Sequence, residues 1–246
     1  GLVFLIMLKD LKGQIAFITG GSRGIGKATA LALAKEGANI CVTARSADAL
    51  EQVVSECKQF GVQAMSVVSD ASDYEGLKSA LDTCVKEFGG VSIIVSNAGV
   101  LGMASQSFEQ WEKCIQVNLL SVMALCSHAI QYLEKNESSS IIQISSIAAT
   151  RHFKAMPPYC GSKAGVNGYL LSLFEQVRDK NIKVCVISPG MVNTDMVTSF
   201  GKNHEDMIQV DDIAETISFV AKFPKNSCPT EITILPQVSE GLIRAV

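Results

Sequence analysis

Residues 14–26 read Gln-Ile-Ala-Phe-Ile-Thr-Gly-Gly-Ser-Arg-Gly-Ile-Gly, and this stretch decides the fold. Its first six residues predict an apolar strand that runs directly into a turn with glycines at positions 20, 24 and 26. The alanine-rich amphipathic segment that follows, 27–37, predicts a helix. Glycines let the backbone approach a pyrophosphate, and a helix N-terminus offers free N–H groups and the positive end of the helix dipole. The stretch therefore predicts a phosphate-binding unit, although an ordinary strand-to-helix turn would also fit a glycine-rich sequence.

The rest of the chain repeats this alternation of strand and helix patterns. Strands are predicted at 14–19, 39–44, 62–68, 91–96, 140–145, 183–188 and 230–235. Helices are predicted at 24–37, 47–60, 73–88, 108–135, 157–180 and 210–222. Such alternation argues for βαβ units and a parallel sheet. Because no linker rich in Pro, Gly or Ser interrupts it, we expect one α/β domain at 12–246, preceded by an N-terminal extension at 1–11.

Composition argues against several classes of partner. Of the 246 residues, 48% are hydrophobic and 18% charged, and the net charge is −3. This balance gives no reason to expect a nucleic acid or an anionic membrane as partner. The apolar run at 2–8 is too short to cross a bilayer and lacks the flanks of a signal peptide, so we expect no membrane span.

The cysteines and histidines give no metal or disulfide pattern. The eight cysteines are scattered without a C-x-x-C pair, which indicates reduced thiols in a cytoplasmic, reducing compartment. The three histidines, His128, His152 and His204, lack metal-ligand spacing. We therefore expect no metal site.

Tyr159 and Lys163 are the most informative pair of side chains. They stand four residues apart, so on a helix they share one face. An ordinary tyrosine ionises near a pKa of about 10, which makes it a poor acid or base at neutral pH. A nearby ammonium favours the phenolate and lowers that pKa. The pair predicts a proton-transfer device that works beside a hydride donor or acceptor.

Further motifs follow in a characteristic order. They are Asn97-Ala-Gly99, Asn118, Ser146 placed 13 residues before Tyr159, and Pro189-Gly190. Together with the glycine spacing at 20, 24 and 26, they resemble the short-chain dehydrogenase/reductase family over residues 12–235. The resemblance implies a Rossmann-type doubly wound parallel sheet of seven strands in the order 3-2-1-4-5-6-7. It also implies helices on both faces and ligands at the carboxyl ends of the strands.

The resemblance implies four catalytic residues. Ser146 would bind the substrate carbonyl, Tyr159 would act as acid and base, and Lys163 would support it and contact the nicotinamide ribose. Asn118 would hold a water that resupplies protons. Ser145 stays open as an alternative to Ser146, although the 13-residue gap to Tyr159 favours Ser146.

The end of the second predicted strand indicates the choice of cofactor. An acidic residue at this position selects NAD by binding the ribose hydroxyls. Here Ala44 occupies it, Arg45 follows, and Arg23 stands in the glycine turn. Two guanidinium groups would hold a 2′-phosphate through charge-assisted hydrogen bonds, so we expect NADP rather than NAD. The alternative is that both arginines are solvated surface residues.

Other cofactor contacts come from the resemblance. Asp70 matches the aspartate that accepts from the adenine amino group, although it would also serve as N-cap of a helix starting near Ser72. The further contacts implied are Gly20, Ser22, Gly24, Ile25, Gly26, Ala71, Asn97, Ala98, Gly99, Tyr159, Lys163, Pro189, Gly190, Val192 and Thr194.

The substrate pocket would join Ser146 to an apolar surface. His152 and Phe153 lie between Ser146 and Tyr159 in sequence, and Met191 and Met196 lie in the segment that caps the pocket in this family. The family also forms dimers and tetramers, here with helices 108–135 and 157–180 pairing. Leu119, Val122, Leu170 and Phe174 are the candidates for the apolar faces of that contact.

These features predict an NADP-dependent oxidoreductase of the carbonyl reductase type, acting on a small-molecule carbonyl or secondary alcohol. One alternative is 3-oxoacyl-acyl-carrier-protein reductase, although Glu137 and Lys180 form a mixed patch where a basic docking site would lie. An alternative of another class is a non-catalytic NADP-binding sensor or scaffold.

Overall fold

A parallel sheet forms the centre of the protein, as described by a computed structural model for residues 10–197 and 204–238. The strands are β1 Ile15–Thr19, β2 Asn39–Ala44, β3 Ala64–Val68, β4 Ile93–Ser96, β5 Ser139–Ile144, β6 Ile182–Pro189 and β7 Glu231–Ile234. They lie in the order β3-β2-β1-β4-β5-β6-β7, and every pair is parallel. The predicted Rossmann-type sheet and its strand order are confirmed. Residues 1–9 of the predicted extension lie outside the described part of the chain.

Helices cover both faces of the sheet. They are α1 Gly24–Lys35, α2 Ala47–Lys58, α3 Tyr74–Phe88, α4 Phe108–Ile115, α5 Ser121–Leu133, α6 Pro157–Val177 and α7 Val210–Lys222. Local sequence sets several of their ends. The Asp73 carboxylate caps α3 by accepting from the Gly76 N–H at 3.0 Å, and Pro157 begins α6, where its missing N–H costs nothing.

Two hydrophobic layers sandwich the sheet. Successive strand residues point to opposite faces, so Phe17 joins one layer and Ile18 the other. The layer that contains Ile18 includes Leu33 of α1 and Ile217 of α7. The opposite layer is filled by α3, α5 and α6. Because the central strands are buried on both faces, their sequences are nearly continuous apolar runs.

The predicted helix 108–135 is present over Phe108–Leu133, but it is not α-helical throughout. A π-helical turn, Gln116–Leu120, separates α4 from α5. At its centre the Asn118 side chain accepts from the Val100 N–H at 2.9 Å and donates to the Val100 carbonyl at 2.8 Å. Such turns insert one extra residue into a helix and often mark functional sites. A periodicity argument cannot show this turn, because the Asn118 side chain there bonds Val100, 18 residues earlier in the chain.

The stretch Phe108–Leu133 is long and apolar enough to cross a membrane when judged by length and composition alone. Core helices of water-soluble proteins pass the same test. In this stretch Leu125, Cys126 and Leu133 are buried in the layer that covers one face of the sheet. The burial of these side chains accounts for the apolar composition without a membrane.

For two residues, the expectation that they supply an apolar contact between two copies of this chain is wrong. Val122 and Leu170 are only 1% and 0% exposed, because they belong to the chain's own core. Leu119 and Phe174 are partly buried against the same core. The large apolar side chains that α5 and the π-helical turn expose are instead Met123 and Leu120.

Replacing Gly26 with alanine is expected to destabilise the fold. A Cβ atom there would collide with the Gly20 carbonyl oxygen and lie 2.7 Å from Asn97 Nδ2, both of which are held in place. We expect the free energy of unfolding, measured by urea denaturation, to fall by about 1–3 kcal/mol. The control is Gly168→Ala on α6, where a Cβ meets nothing within 4 Å. That change is expected to be neutral or stabilising, and equal losses in both variants would contradict the close-approach argument.

Candidate active site

A cleft of about 920 Å³ opens at the carboxyl ends of the strands. This is where open α/β sheets bind ligands. Most residues predicted to form the site line it: Gly20, Ser22, Arg23, Gly24, Ile25, Arg45, Asp70, Ala71, Asn97, Ala98, Gly99, Ser146, Phe153, Tyr159, Lys163, Pro189, Gly190, Met191, Val192, Thr194 and Met196. Gly26, Asn118 and His152 are not part of the lining.

The glycine turn leaves backbone donors available at the start of α1. Gly20 and Gly24 have φ values of +64° and +54°, a region that other residues rarely adopt. Arg23 occupies the N-cap position, but its side chain does not cap the helix. The first N–H groups of a helix have no partner inside the helix. The turn can therefore present uncapped N–H groups and the helix dipole to an anionic group in the cleft.

Thr19 and Asn97 tie the glycine turn to the end of β4. The Thr19 hydroxyl accepts from the N–H groups of Asn97 and Ala98 at 3.0 and 3.1 Å. The Asn97 amide donates to the carbonyls of Thr19 and Gly20 at 3.0 and 3.1 Å. Asn97 thus positions the turn with its side chain. Thr19 was missed as a site residue, and its only sequence signal was a polar residue ending an apolar strand directly before glycine.

The two arginines near the predicted 2′-phosphate differ in their partners. Arg23 pairs with Asp195 at 3.1 Å, and both side chains are 75% exposed. The Arg45 side chain forms no hydrogen bond or ion pair with the described part of the chain, although its charge helps to lower the pKa of Asp70. Arg45 is therefore the guanidinium more readily available to a ligand.

Asp70 is not a helix cap. The N-cap of α3 is Asp73, so the alternative role for Asp70 is wrong. Its Oδ1 instead accepts from the backbone N–H and the hydroxyl of Ser72 at 2.8 and 2.7 Å. The backbone hydrogen bond is the largest cause that lowers the pKa of Asp70. Asp70 thus offers an ionised carboxylate at the wall of the cleft.

Tyr159 and Lys163 lie together on α6, as their spacing predicts. Lys163 Nζ lies 5.6 Å from the centroid of the Tyr159 ring and donates to the Ile144 carbonyl at 3.0 Å. Lys163 is only 3% exposed. The Ser146 hydroxyl lies near enough to the phenol to act to lower its pKa. The acid, its cationic neighbour and a second hydroxyl therefore meet at one point of the cleft.

The pKa of Tyr159 moves in the opposite direction from the sequence expectation. Burial raises it to about 12, while the hydrogen bond with Ser146 acts to lower it. Burial also lowers the pKa of Lys163 to about 8. Both shifts follow from lost hydration, which disfavours the charged form of each group. Burial is the largest cause of the raised pKa of Tyr159, and Lys163 is not among the groups that shift it.

The neighbouring serines take different roles. Ser145 is buried, and its hydroxyl donates to Asn167 Oδ1 on α6 at 2.5 Å. Ser146 lies two residues beyond the end of β5 and is partly exposed in the cleft. Its oxygen also accepts from the Ala148 N–H at 3.1 Å. The geometry favours Ser146 as the hydroxyl available to a substrate.

Asn118 lies behind the site, and its side chain does not reach the cleft. Besides bonding Val100, its amide donates to Ser162 Oγ at 3.0 Å. Ser162 in turn donates to the Tyr159 carbonyl at 2.8 Å. Asn118 and Ser162 thus support the first turn of α6 below Tyr159. Ser162 was missed, since a serine inside a helix carries no distinguishing pattern. The water-holding role of Asn118 stays a prediction.

Several large apolar side chains form part of the cleft wall. Phe153, Met156, Met191 and Met196 line the same cleft as Ser146 and Tyr159. His152 is exposed and does not line the cleft, in contrast to the expectation that it overlooks the substrate. Within the described residues no three His, Cys, Asp or Glu side chains come together as metal ligands.

Comparison with known proteins identifies the family. Residues 14–205 match the family model described as short chain dehydrogenase. The chain is 32% identical over 228 residues to 3-oxoacyl-acyl-carrier-protein reductase of Synechocystis sp., covering 87% of this chain and 91% of that protein. It is 35% identical over 199 residues to the enzyme of the same name from Chlamydia trachomatis, covering 78% and 79%.

A solved structure agrees with this assignment. Alcohol dehydrogenase from the archaeon Thermococcus sibiricus, complexed with 5-hydroxy-NADP, is similar with a TM-score of 0.84 and 28% identity, covering 90% of this chain and 95% of that one. The chain therefore belongs to the short-chain dehydrogenase family. It is an oxidoreductase of that class.

Replacing Lys163 with methionine is expected to stabilise the protein in a pH-dependent way. Burial lowers the pKa of Lys163 from 10.5 to about 8, so below pH 8 the folded chain must hold a buried charge. As pH rises from 8 to 10.5, Lys163 loses its proton in the folded chain while the unfolded chain keeps it. The destabilisation caused by the buried charge therefore declines over this range. We expect a gain in the free energy of unfolding of about 1–3 kcal/mol at pH 7.

Denaturation at pH 7, 8.5 and 10 checks this expectation. The Ile144 carbonyl keeps a donor in the variant, because Gln143 Nε2 also bonds it, at 2.7 Å. The exposed Lys154→Met change is the control and should not alter the pH dependence. A gain for Lys163→Met that stays constant from pH 7 to 10 would contradict the buried-charge account.

Proposed function

We propose that the protein is an NADP-dependent reductase that moves a hydride between nicotinamide and a carbonyl or secondary alcohol. One observation carries the proposal: Tyr159, beside Lys163, lines the same cleft as Ser146 and the glycine turn. When a hydride reduces a carbonyl, the carbonyl oxygen must receive a proton, and the Tyr159 hydroxyl can donate one.

The residues of the cleft fit a phosphorylated dinucleotide. The uncapped start of α1 and the two glycines with positive φ suit a pyrophosphate. Arg45 suits a 2′-phosphate, with Arg23 as a second cation, and no acidic residue ends β2. The similar archaeal enzyme was solved with 5-hydroxy-NADP, which supports NADP over NAD. Val192 and Thr194 would hold the nicotinamide end.

The protein groups supply position and the proton. A bound nicotinamide supplies the hydride chemistry. The Ser146 and Tyr159 hydroxyls bind the substrate oxygen, and Tyr159 donates its proton as that oxygen gains negative charge. The raised pKa of Tyr159, about 12, keeps the phenol protonated at neutral pH, which is the form that reduction requires. Lys163 stabilises the phenolate that remains.

The apolar substrate end favours a ketone or aldehyde with an apolar substituent. Phe153, Met191 and Met196 offer a flexible hydrophobic surface. We therefore place the protein among carbonyl reductases. Reduction of a panel of ketones and aldehydes, followed through NADPH oxidation, tests this assignment.

The second candidate is 3-oxoacyl-acyl-carrier-protein reductase, which the two bacterial relatives favour. An acidic carrier protein would need unpaired basic residues for docking. At the end of α6, Lys180 pairs with Glu134 at 2.6 Å and Arg178 with Glu175 at 3.1 Å. Reduction of an acetoacetyl thioester in preference to simple ketones would support this candidate over the first.

Tyr159→Phe is the central test of the enzyme proposal. Removing the proton donor is expected to lower kcat by about 10²–10⁴-fold, because general acid catalysis is worth that much. Binding of NADPH, measured by nicotinamide fluorescence, should persist. The matched control is Tyr169→Phe on the same helix, whose hydroxyl bonds the Met123 carbonyl and lies outside the cleft. Binding without turnover in native protein, unaltered by Tyr159→Phe, would instead support a sensor.

Arg45→Ala tests the choice of cofactor. Loss of a charge-assisted hydrogen bond to the 2′-phosphate is expected to raise KM for NADPH by about 10–100-fold and to leave KM for NADH nearly unchanged. Arg23→Ala should have a smaller effect, because Arg23 already pairs with Asp195. Arg178→Ala, outside the cleft, is the control. Equal effects on NADPH and NADH would overturn the assignment of Arg45.

We also propose that copies assemble into a homodimer or homotetramer in the cytoplasm. Family resemblance and the exposed Leu120 and Met123 support the assembly. All eight cysteines are free thiols, which supports a reducing compartment.

A further inference from the structure

Lys113 lines the cleft but has no part in the proposed chemistry. It lies on α4, and its ammonium is hydrogen-bonded to the Ser72 hydroxyl and lies 3.7 Å from Asp70 Oδ1. The side chain is 44% exposed. One lysine thus connects α4 to the loop after β3, at the wall where Asp70 stands.

The contacts of Asp70 converge on one of its two oxygens. Oδ1 accepts from the N–H and the hydroxyl of Ser72, and Lys113 approaches the same atom. Oδ2 has no hydrogen bond within the described residues. Because Ser72 is itself held by Lys113, the carboxylate is fixed from two elements, with a single oxygen left for a ligand.

We propose that Lys113 is a positioning residue that sets base selectivity by holding Asp70 Oδ2 toward the amino group of the adenine. This inference rests on the proposed NADP binding. Adenine carries an amino donor where hypoxanthine carries a carbonyl acceptor. A fixed carboxylate accepts from the former and repels the latter. Without Lys113, Ser72 and Asp70 gain freedom to rotate, and the alignment with the amino group weakens.

The experiment compares two ligands in several variants. The dissociation constants of NADPH and of its hypoxanthine analogue are measured by nicotinamide fluorescence with native protein, Lys113→Met and Lys113→Arg. Lys113→Met is expected to weaken NADPH binding roughly five- to tenfold and not to weaken binding of the hypoxanthine analogue, whose carbonyl then meets less repulsion. Lys113→Arg should retain most of the native selectivity, since it keeps the positive donor.

Two further variants sharpen the result. Lys78→Met is the matched control, because Lys78 pairs with Glu75 at 2.8 Å and lies outside the cleft. It should leave both dissociation constants unchanged. Asp70→Ala, which removes the acceptor, is expected to show the same adenine-specific loss, and combining it with Lys113→Met should add little, as for residues that act through one another.

The outcomes separate this inference from the function on which it rests. If native protein binds neither ligand, the proposed NADP function fails. If native protein binds NADPH but Lys113→Met weakens both ligands equally, or neither, the positioning role is overturned while the function stands. A loss confined to the adenine ligand supports the role, because general damage to the cleft would not distinguish the two bases.

Discussion

The close approach of α1 to the turn after β1 is the constraint on which the cleft depends. Only glycine at position 26 lets the first turn of the helix pass the Gly20 carbonyl. The Asn97 amide then binds the carbonyls of Thr19 and Gly20, and the Thr19 hydroxyl binds the chain after β4. Two neighbouring strand ends are thereby locked together, and the free N–H groups at the start of α1 keep a fixed direction.

The burial of Lys163 beside Tyr159 lowers the stability of the folded protein. Lys163 is buried with a single carbonyl acceptor and, within the described part of the chain, no carboxylate partner, while burial raises the pKa of Tyr159. Perturbed titrating groups in a cleft are a mark of functional sites. The network of Asn118 and Ser162 beneath Tyr159 holds this costly arrangement in one conformation.

The adenosine end shows how similar residues acquire different roles. Arg23 and Arg45 carry the same group, yet Asp195 already neutralises the first. Asp70 and Asp73 both precede α3, yet only Asp73 caps it, which leaves Asp70 to face the cleft. Charge type is visible in a sequence, whereas the partner of each charge depends on which loops meet.

Sequence alone determined the alternation of strands and helices, the glycine turn and the spacing of Ser146, Tyr159 and Lys163. These features are local, because they depend on how apolar residues repeat along a segment and on which residues stand close together in the chain. Sequence alone did not reveal the π-helical turn at Asn118, the burial of Val122 and Leu170, or the roles of Thr19 and Lys113. It also did not show that burial raises the pKa of Tyr159. Each of these depends on contacts between residues far apart in the chain. Burial and hydrogen-bond partners are properties of the folded arrangement, so only the tertiary structure decided them.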